Sequence, residues 1–192
     1  MNTNSKIYLV RHGETEWSLN GRHTSTTDLP LTPEGLRRAA LLKPFFEHRA
    51  FALVLCSPRL RARQTATALG LEVELDPALA EWNYGDYEGL TTAEIQSRVP
   101  GWTVFSGSCP NGESADEVGV RVDRVIERAR AASGDVLLVA HSHCLRVLVA
   151  RWLGLEPRGG RFFRLDTGTW SRLGWEHGTP VIDVWSAPPE VR

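Results

Sequence analysis

The apolar positions of the chain form short runs, which alternate with longer stretches where apolar residues recur at helical spacing. The runs at residues 6–10, 51–56 and 135–140 have the length and composition of buried strands. Residues 72–75 are a shorter strand candidate, and residues 160–185 alternate in short pieces that are typical of strands at the edge of a sheet. The pattern predicts several short strands separated by other elements.

The stretches between the strands have helical spacing and helix-bounding residues. Thr32 can cap a helix whose apolar positions continue at helical spacing to Phe46. We predict further helices at residues 57–69, 114–132 and about 144–153. Strands that alternate with helices favour a layered α/β fold with a largely parallel sheet.

Polar residues follow three of the predicted strands. Arg11 and His12 follow the first strand, residues 57–61 follow the second, and residues 141–143 follow the third. In parallel α/β sheets, ligands bind beyond the carboxyl ends of the strands. We therefore expect these three groups, far apart in sequence, to meet at one rim of the sheet.

Composition narrows the class of protein. The length of 192 residues fits one domain, which we place at residues 1–192. The 22 basic and 23 acidic residues nearly cancel, so neither nucleic acid nor a membrane is the expected partner. Three cysteines do not form a disulfide framework, and the polar N-terminus is followed by no signal-like apolar stretch. We expect a cytoplasmic protein.

His12 stands at a predicted strand end between Arg11 and Gly13. A single histidine there is more often an ordinary surface residue, so its neighbours decide the interpretation. Arg11 can donate two hydrogen bonds to a phosphate, and Gly13 would let the backbone approach a ligand. Glu14 could bond a ring nitrogen of His12 and fix its tautomer. A neutral imidazole in this setting can attack phosphorus and hold the phosphoryl group until water removes it.

Residues 57–65 contain three arginines in five positions. One arginine on the first helical turn would face the rim, where a helix N-terminus also favours anions. We assign this role to Arg61 and expect Arg59 and Arg63 to point elsewhere.

Residues 81–89 place acids among aromatic residues. A carboxyl group in such surroundings can stay protonated near neutrality and protonate a leaving alkoxide. Composition does not choose among Glu81, Asp86 and Glu88. His141, at the third strand end, could donate to phosphate beside His12 or bind a metal together with His143.

Four motifs occur in a fixed order. They are Arg-His-Gly at 11–13, Ser-x-x-x-Arg-Ala-x-x-Thr at 57–65, Glu-x-x-x-Gly at 81–85, and the strand-end His141. In this order they resemble the histidine phosphatase superfamily, the phosphoglycerate mutase-like group. The resemblance implies a three-layer α/β sandwich with a mostly parallel mixed sheet flanked by helices. It also implies a reaction that needs neither a metal nor a cofactor.

The resemblance assigns roles to individual residues. His12 is the nucleophile, Glu81 is the proton donor, and the phosphate pocket consists of Arg11, Arg61 and His141. Ser18 stands where mutases usually have asparagine, and Thr24 and Ser25 replace the usual Thr-Gly pair. The expected substrate-binding residues are Ser18, Thr24, Ser25, Tyr84 and Ser142.

Other features have less defined expectations. His23 is expected at the pocket mouth, as an ordinary exposed histidine rather than as a residue that sets specificity, and its role is left open. The role of His143 is open, because relatives often have a small polar residue at that position. Residues 102–109 could form a lid or an ordinary surface loop. A homodimer is conceivable, since an edge or an interface could be covered by the late aromatic residues Phe162, Trp170, Trp175 and Trp185.

The predicted function is hydrolysis of small phosphomonoesters, with sugar phosphates and bisphosphates among the candidate substrates. Within the superfamily, the segments at residues 27–32, 57–64, 84–89 and 111–114 resemble those of sedoheptulose bisphosphatase-like and acid phosphatase-like members. The first alternative is a cofactor-dependent phosphoglycerate mutase. Mutases of this group carry an insertion with paired arginines after the acid segment. Here residues 91–113 contain a single basic residue, Arg98.

Two alternatives come from other classes. A non-catalytic protein could bind a phosphorylated ligand, but the complete residue set argues against it. A metallohydrolase could use His141 and His143, in which case chelators would abolish activity and Zn²⁺ would restore it. Cysteine phosphatase chemistry is disfavoured, because alanine follows each cysteine at the position where Cys-x5-Arg enzymes have arginine.

Overall fold

The computed structural model describes residues 5–189. The prediction from the polar N-terminus therefore concerns residues that, except for Ser5, lie outside this range. The helices and strands are, in chain order, β1 (Ile7–Arg11), α1 (Glu16–Leu19), α2 (Pro33–Ala40), α3 (Lys43–Phe46), β2 (Leu53–Cys56), α4 (Leu60–Leu69), β3 (Glu74–Leu75), α5 (Thr92–Gln96), α6 (Ala115–Ala131), β4 (Val136–Ala140), α7 (Ser142–Trp152), β5 (Trp170–Glu176) and β6 (Thr179–Ala187).

The strands form one six-stranded sheet in the order β3-β2-β4-β1-β5-β6. The first four strands of this order are parallel, and β5 and β6 are antiparallel to their neighbours. The predicted mixed, mostly parallel sheet is confirmed. Because β2, β4 and β1 are adjacent, the polar residues that follow them reach the same rim.

Alternate residues of the strands face opposite sides of the sheet. On one side, Val136 and Leu138 of β4 pack with the buried faces of α6 and α7. On the other side, Leu137 and Val139 pack with Phe46 and the buried face of α4. Helices therefore cover both faces, as the predicted three-layer sandwich requires.

Several predicted boundaries differ from the structure. The helix that begins at Pro33 does not continue to Phe46, because Pro44 cannot donate a backbone hydrogen bond and instead occupies the first turn of a new helix, α3. The helix predicted from residue 57 begins only at Leu60, after the extended Arg59. The region predicted as short strands from residue 160 contains a 3₁₀ helix, Pro157–Phe162, before the β5–β6 hairpin.

The late aromatic residues pack mainly within the chain. The rings of Trp170 and Phe45 lie 4.2 Å apart between centroids, and those of Trp175 and Trp152 lie 4.9 Å apart. Phe162 is 70% exposed. Across residues 5–189, every helix is too short or too polar to cross a membrane.

Candidate active site

His12, Ser57 and His141 meet at the rim because each directly follows a parallel strand. The N–H of His12 donates to the Ala140 carbonyl at 3.0 Å, and that of Ser57 donates to the Val139 carbonyl at 2.9 Å. These bonds extend the ladder one residue beyond the strands. The rings of His12 and His141 lie 5.0 Å apart between centroids.

The protonation of the His12 ring follows from its hydrogen bond. Nδ1 lies 2.7 Å from the Gly13 carbonyl oxygen, which can only accept, so Nδ1 carries the proton. Nε2 then holds a free lone pair. Burial, reinforced by the positive charges of Arg61 and Arg11, lowers the pKa of His12 well below its ordinary value. The imidazole is therefore neutral and nucleophilic at Nε2.

The two residues that follow His12 make contacts that differ from those predicted from the sequence. Gly13 is needed for protein packing, because a Cβ there would lie 2.6 Å from the Gly35 carbonyl oxygen. The predicted contact of Glu14 with His12 is wrong. Its carboxylate accepts from the Thr32 hydroxyl at 2.8 Å, since Thr32 caps α2 beside it.

Arg61 is fully buried on the first turn of α4. Its guanidinium donates to the carbonyl oxygens of Thr24 at 3.0 Å, Thr27 at 3.2 Å and Ser25 at 3.3 Å. Its Nε donates to Nδ1 of His141 at 3.2 Å. The loop that follows α1 is thus hydrogen-bonded to the Arg61 guanidinium, whose positive charge lies close to His12.

The other two arginines of this helix point away. Arg59 reaches only the Thr26 carbonyl, at 3.4 Å, and Arg63 is exposed. Arg11 lines the pocket, and its guanidinium donates to the Leu165 carbonyl. The buried Nε of Arg11 has no partner among the described residues.

His141 is held between two partners. Its Nδ1 accepts from Arg61, so Nε2 carries the proton and donates to the Ser57 hydroxyl at 2.7 Å. His143 instead bonds Tyr84 through Nδ1, at 2.6 Å. The rings of His141 and His143 therefore hydrogen-bond to different partners. Residues 5–189 contain no group of three or more His, Cys, Asp or Glu side chains suited to hold a metal.

The Glu81 carboxylate sits on the N-terminus of α7. Oε1 accepts the N–H groups of Trp82 and Cys144, both at 2.9 Å, and Oε2 accepts that of His143 at 3.1 Å. The N-cap residue His141 gives α7 no side-chain cap, so Glu81 supplies it from another segment. This capping fixes the carboxyl group beside the pocket.

The other two acids of this segment have different roles. Glu88 accepts the backbone N–H groups of Ser25 and Thr27 at 2.8–3.0 Å. Asp86 accepts from the Asn111 side chain at 3.1 Å. Neither lines the pocket, whereas Glu81 does. Geometry thus selects Glu81 among the three candidates.

The pocket above His12 has a volume of about 240 Å³. Its lining residues are Arg11, His12, Thr15, Ser18, Gly21, Arg22, His23, Thr24, Glu81, Tyr84, Thr92, Ser142 and His143. Among the expected substrate-binding residues, Ser25 is the exception. It is buried behind the wall and its hydroxyl donates to the Glu81 carbonyl at 3.2 Å.

One wall of the pocket is aromatic and hydrogen-bonded. The His23 ring lies 4.7 Å from Tyr84 and 5.4 Å from Trp102 between centroids. The expectation that His23 is an exposed residue is wrong, since it is 9% exposed. Burial lowers its pKa to about 4 and also holds the pKa of His143 well below the ordinary value. Both rings are therefore neutral near pH 7.

The segment at residues 102–109 packs into the protein and supports this wall. Trp102, Val104, Phe105 and Cys109 belong to the main hydrophobic core. The Phe105 ring lies 5.4 Å from that of His143. Both predictions for this segment, a lid and an ordinary surface loop, miss the burial of these side chains.

Comparison with known proteins assigns the family. The family model described as histidine phosphatase superfamily (branch 1) matches residues 7–188. The chain belongs to this superfamily. An acid phosphatase of Mycobacterium tuberculosis is 41% identical over 94% of this histidine phosphatase and 92% of its own length. A sedoheptulose 1,7-bisphosphatase of Saccharomyces cerevisiae is 35% identical over 78% and 68% of the two chains.

A solved structure gives the same picture. The product of an open reading frame of Mycobacterium tuberculosis superposes on this histidine phosphatase with a TM-score of 0.93 and 39% identity, covering 97% of this chain and 100% of that one. Relatives named alpha-ribazole phosphatase and probable phosphoglycerate mutase are also similar to it. Its similar relatives are therefore named for reactions of small phosphorylated molecules.

Two residues of this histidine phosphatase were not singled out in the sequence. Thr65 accepts the Gly13 N–H at 3.0 Å and donates to the Arg61 carbonyl at 2.8 Å, so it joins two motifs. Ser57 orients His141. Both are the polar ends of the Ser-x-x-x-Arg-Ala-x-x-Thr motif, and their fixed spacing from Arg61 is the signal that could have found them.

Proposed function

We propose that this enzyme, as one domain of residues 1–192, hydrolyses small phosphomonoesters in two steps through a phosphohistidine at His12. The observation that carries the proposal is the His12 ring itself. Its Nδ1 proton is committed to the Gly13 carbonyl, which leaves Nε2 free in a pocket that Arg11 lines, with the charge of the buried Arg61 close to the ring. Such an atom can accept a phosphoryl group without first losing a proton.

In the first step, Nε2 of His12 attacks phosphorus and the bond from phosphorus to the leaving oxygen breaks. Glu81 donates a proton to that oxygen. In the second step, water attacks the phosphohistidine, its proton passes to Glu81, and the N–P bond breaks to release inorganic phosphate. One carboxyl group can serve both steps because the first leaves it as the base that the second needs.

Arg11, Arg61 and His141 form the proposed cradle for the phosphoryl oxygens. The unpartnered Nε of Arg11 offers a donor that a phosphate oxygen can take. Arg61 and His141 are buried beside His12 and outside the pocket lining, so Arg61 contributes positive charge there. The Nε2–H of His141 would reach a phosphoryl oxygen by exchanging its bond to the Ser57 hydroxyl. Fixed donors of this kind stabilise charge that spreads over the oxygens in the transition state.

The outer pocket favours a neutral, hydroxylated leaving group, such as a sugar. Ser18, Thr24, Tyr84 and Ser142 bring hydroxyl groups to it, and His23 and His143 are neutral. The sugar in the name of the yeast relative, sedoheptulose 1,7-bisphosphatase, agrees with a hydroxylated leaving group. Within residues 5–189 the lining has only Arg11 and Arg22 as cations, which is few for a mutase that must retain a bisphosphate.

We also propose that the enzyme acts in the cytoplasm. All three cysteines, Cys56, Cys109 and Cys144, are buried and free, as is usual in reducing compartments. This localisation is tested by fractionation of cells that express the protein at its native level.

A substrate panel tests the function. Phosphate release is measured with sugar monophosphates, sugar bisphosphates and phosphoglycerates, each with and without 2,3-bisphosphoglycerate. We expect hydrolysis of sugar phosphates that needs no added bisphosphate, and none by His12→Ala. The control His48→Ala, at a side chain that is 86% exposed, should retain full activity. Interconversion of phosphoglycerates only with added bisphosphate would favour a mutase, and binding without turnover would favour a non-catalytic protein.

A further inference from the structure

Arg121, on α6, contacts the segment that carries Glu81 from the side away from the pocket. Its Nη1 donates to the carbonyl oxygens of Ala78 and Ala80, both at 2.7 Å. Its Nε and Nη2 donate to the Glu113 carboxylate at 2.8 and 3.1 Å. The Arg121 side chain is only 15% exposed, so these bonds are made with little competition from water.

Glu113 holds the same segment on the other side of Glu81. Its Oε2 accepts the Asn83 N–H at 2.8 Å, and its own N–H donates to the Asn83 carbonyl at 2.8 Å. Its carbonyl accepts the indole N–H of Trp82, also at 2.8 Å. The Arg121–Glu113 pair therefore bonds the backbone immediately before and shortly after Glu81.

The position of the Glu81 carboxyl group depends on two attachments. Its oxygens are bonded to the N-terminus of α7, and its backbone is bonded to the Arg121–Glu113 pair. A proton donor must lie within hydrogen-bond reach of the leaving oxygen, so small displacements reduce proton transfer. Neither Arg121 nor Glu113 lines the pocket, so neither contacts the substrate there.

We propose that Arg121 and Glu113 are positioning residues that hold Glu81 at the distance from which it protonates the leaving group. The proposal rests on the proposed role of Glu81. It predicts a selective defect in the first step: phosphoryl transfer to His12 slows when the leaving oxygen needs a proton, and it does not slow when the leaving group departs as a stable anion. A pair that only stabilised the fold would affect both kinds of substrate alike.

The test compares a sugar phosphate with p-nitrophenyl phosphate in Arg121→Lys. Lysine keeps the charge but cannot bond two carbonyls and a carboxylate as the planar fork does. We expect kcat/KM for the sugar phosphate to fall about 10-fold or more and kcat/KM for p-nitrophenyl phosphate to be nearly unaffected, because kcat/KM reports on the first step and excludes the dephosphorylation that both substrates share. The matched control is Arg151→Lys, which breaks a similar two-pronged pair with Asp123, a residue of α6 that does not bond the Glu81 segment. This control variant should leave kcat/KM unchanged for both substrates.

Glu113→Gln is the second variant, and it allows the proposal to be tested if Arg121→Lys does not fold. It should show the same selective loss, since it removes the charge that orients Arg121. Equal losses for both substrates, or no loss in either variant, would overturn the proposal. Glu81→Gln is measured in parallel. If Glu81→Gln is itself unselective, the proton-donor role fails; if only the pair variants are unselective, the positioning role alone fails.

Discussion

Acidification should destabilise this protein through His23 by an amount that can be worked out. The pKa of His23 is lowered from 6.5 to about 4, chiefly by burial. Below pH 6.5 the unfolded chain binds a proton at this residue while the folded protein does not. The free energy of unfolding therefore decreases as the pH is lowered. The stabilising contribution is fully present above about pH 6.5 and is lost progressively as the pH falls towards 4.

The magnitude follows from the two pKa values. Between pH 7.5 and pH 5, His23 alone should lower the free energy of unfolding by about 2 kcal/mol, at 1.36 kcal/mol per pH unit. For a chain of this size that corresponds to a fall in Tm of about 4–8 °C. His12, His141 and His143 have pKa values lowered in the same direction by burial and add to the total.

Urea denaturation at pH 7.5, 6.5, 5.5 and 5.0 measures this dependence. Because carboxyl groups also titrate in this range, the informative quantity is the difference between the wild type and His23→Gln. Between pH 7.5 and pH 5.0, the free energy of unfolding of the variant should fall by about 2 kcal/mol less than that of the wild type. His48→Gln, at an exposed site, is the matched control for the substitution itself. A His23→Gln protein with the same pH dependence as the wild type would refute the reasoning about buried neutral histidine.

Three further predictions concern individual residues. Glu81→Gln should lower kcat/KM for sugar phosphates far more than kcat/KM for p-nitrophenyl phosphate, since this ratio reports on the first step alone, and equal losses in kcat/KM would remove Glu81 as the proton donor. Thr65→Val leaves the Gly13 N–H without its partner, so urea denaturation should show a loss of about 1–3 kcal/mol, whereas Thr65→Ser should be close to wild type. Gly85→Ala should destabilise by more than about 1 kcal/mol, because Gly85 has φ of 54° and a Cβ there would lie 2.0 Å from the Pro110 carbonyl oxygen; an unchanged Tm would contradict this.

The sheet and its functional rim could be predicted from the sequence because both follow from local patterns. Apolar runs identify buried strands, and parallel order brings the residues after them together, which placed His12 beside His141. The assignment of Arg61 rested on the Ser-x-x-x-Arg-Ala-x-x-Thr motif, because the first turn of a helix predicted from residue 57 does not separate it from Arg59. These inferences need no knowledge of which loops touch.

Contacts between loops could not be predicted in the same way. Glu14 was expected on His12 because the two are neighbours in sequence, but Thr32, far along the chain, takes its carboxylate. His23 was expected to be exposed, yet Trp102 of the segment at residues 102–109 packs against it. Irregular segments show no periodicity, so their burial depends on tertiary packing alone.

The central claim is that the phosphoryl group passes through Nε2 of His12. It is tested most directly by mixing the enzyme with excess substrate, quenching within milliseconds under conditions that preserve N–P bonds, and locating the phosphate in peptides by mass spectrometry. We predict an acid-labile phosphate on His12 that appears before free phosphate accumulates and is absent from His12→Ala. A phosphate on another residue, or near-normal turnover by His12→Ala, would contradict the account.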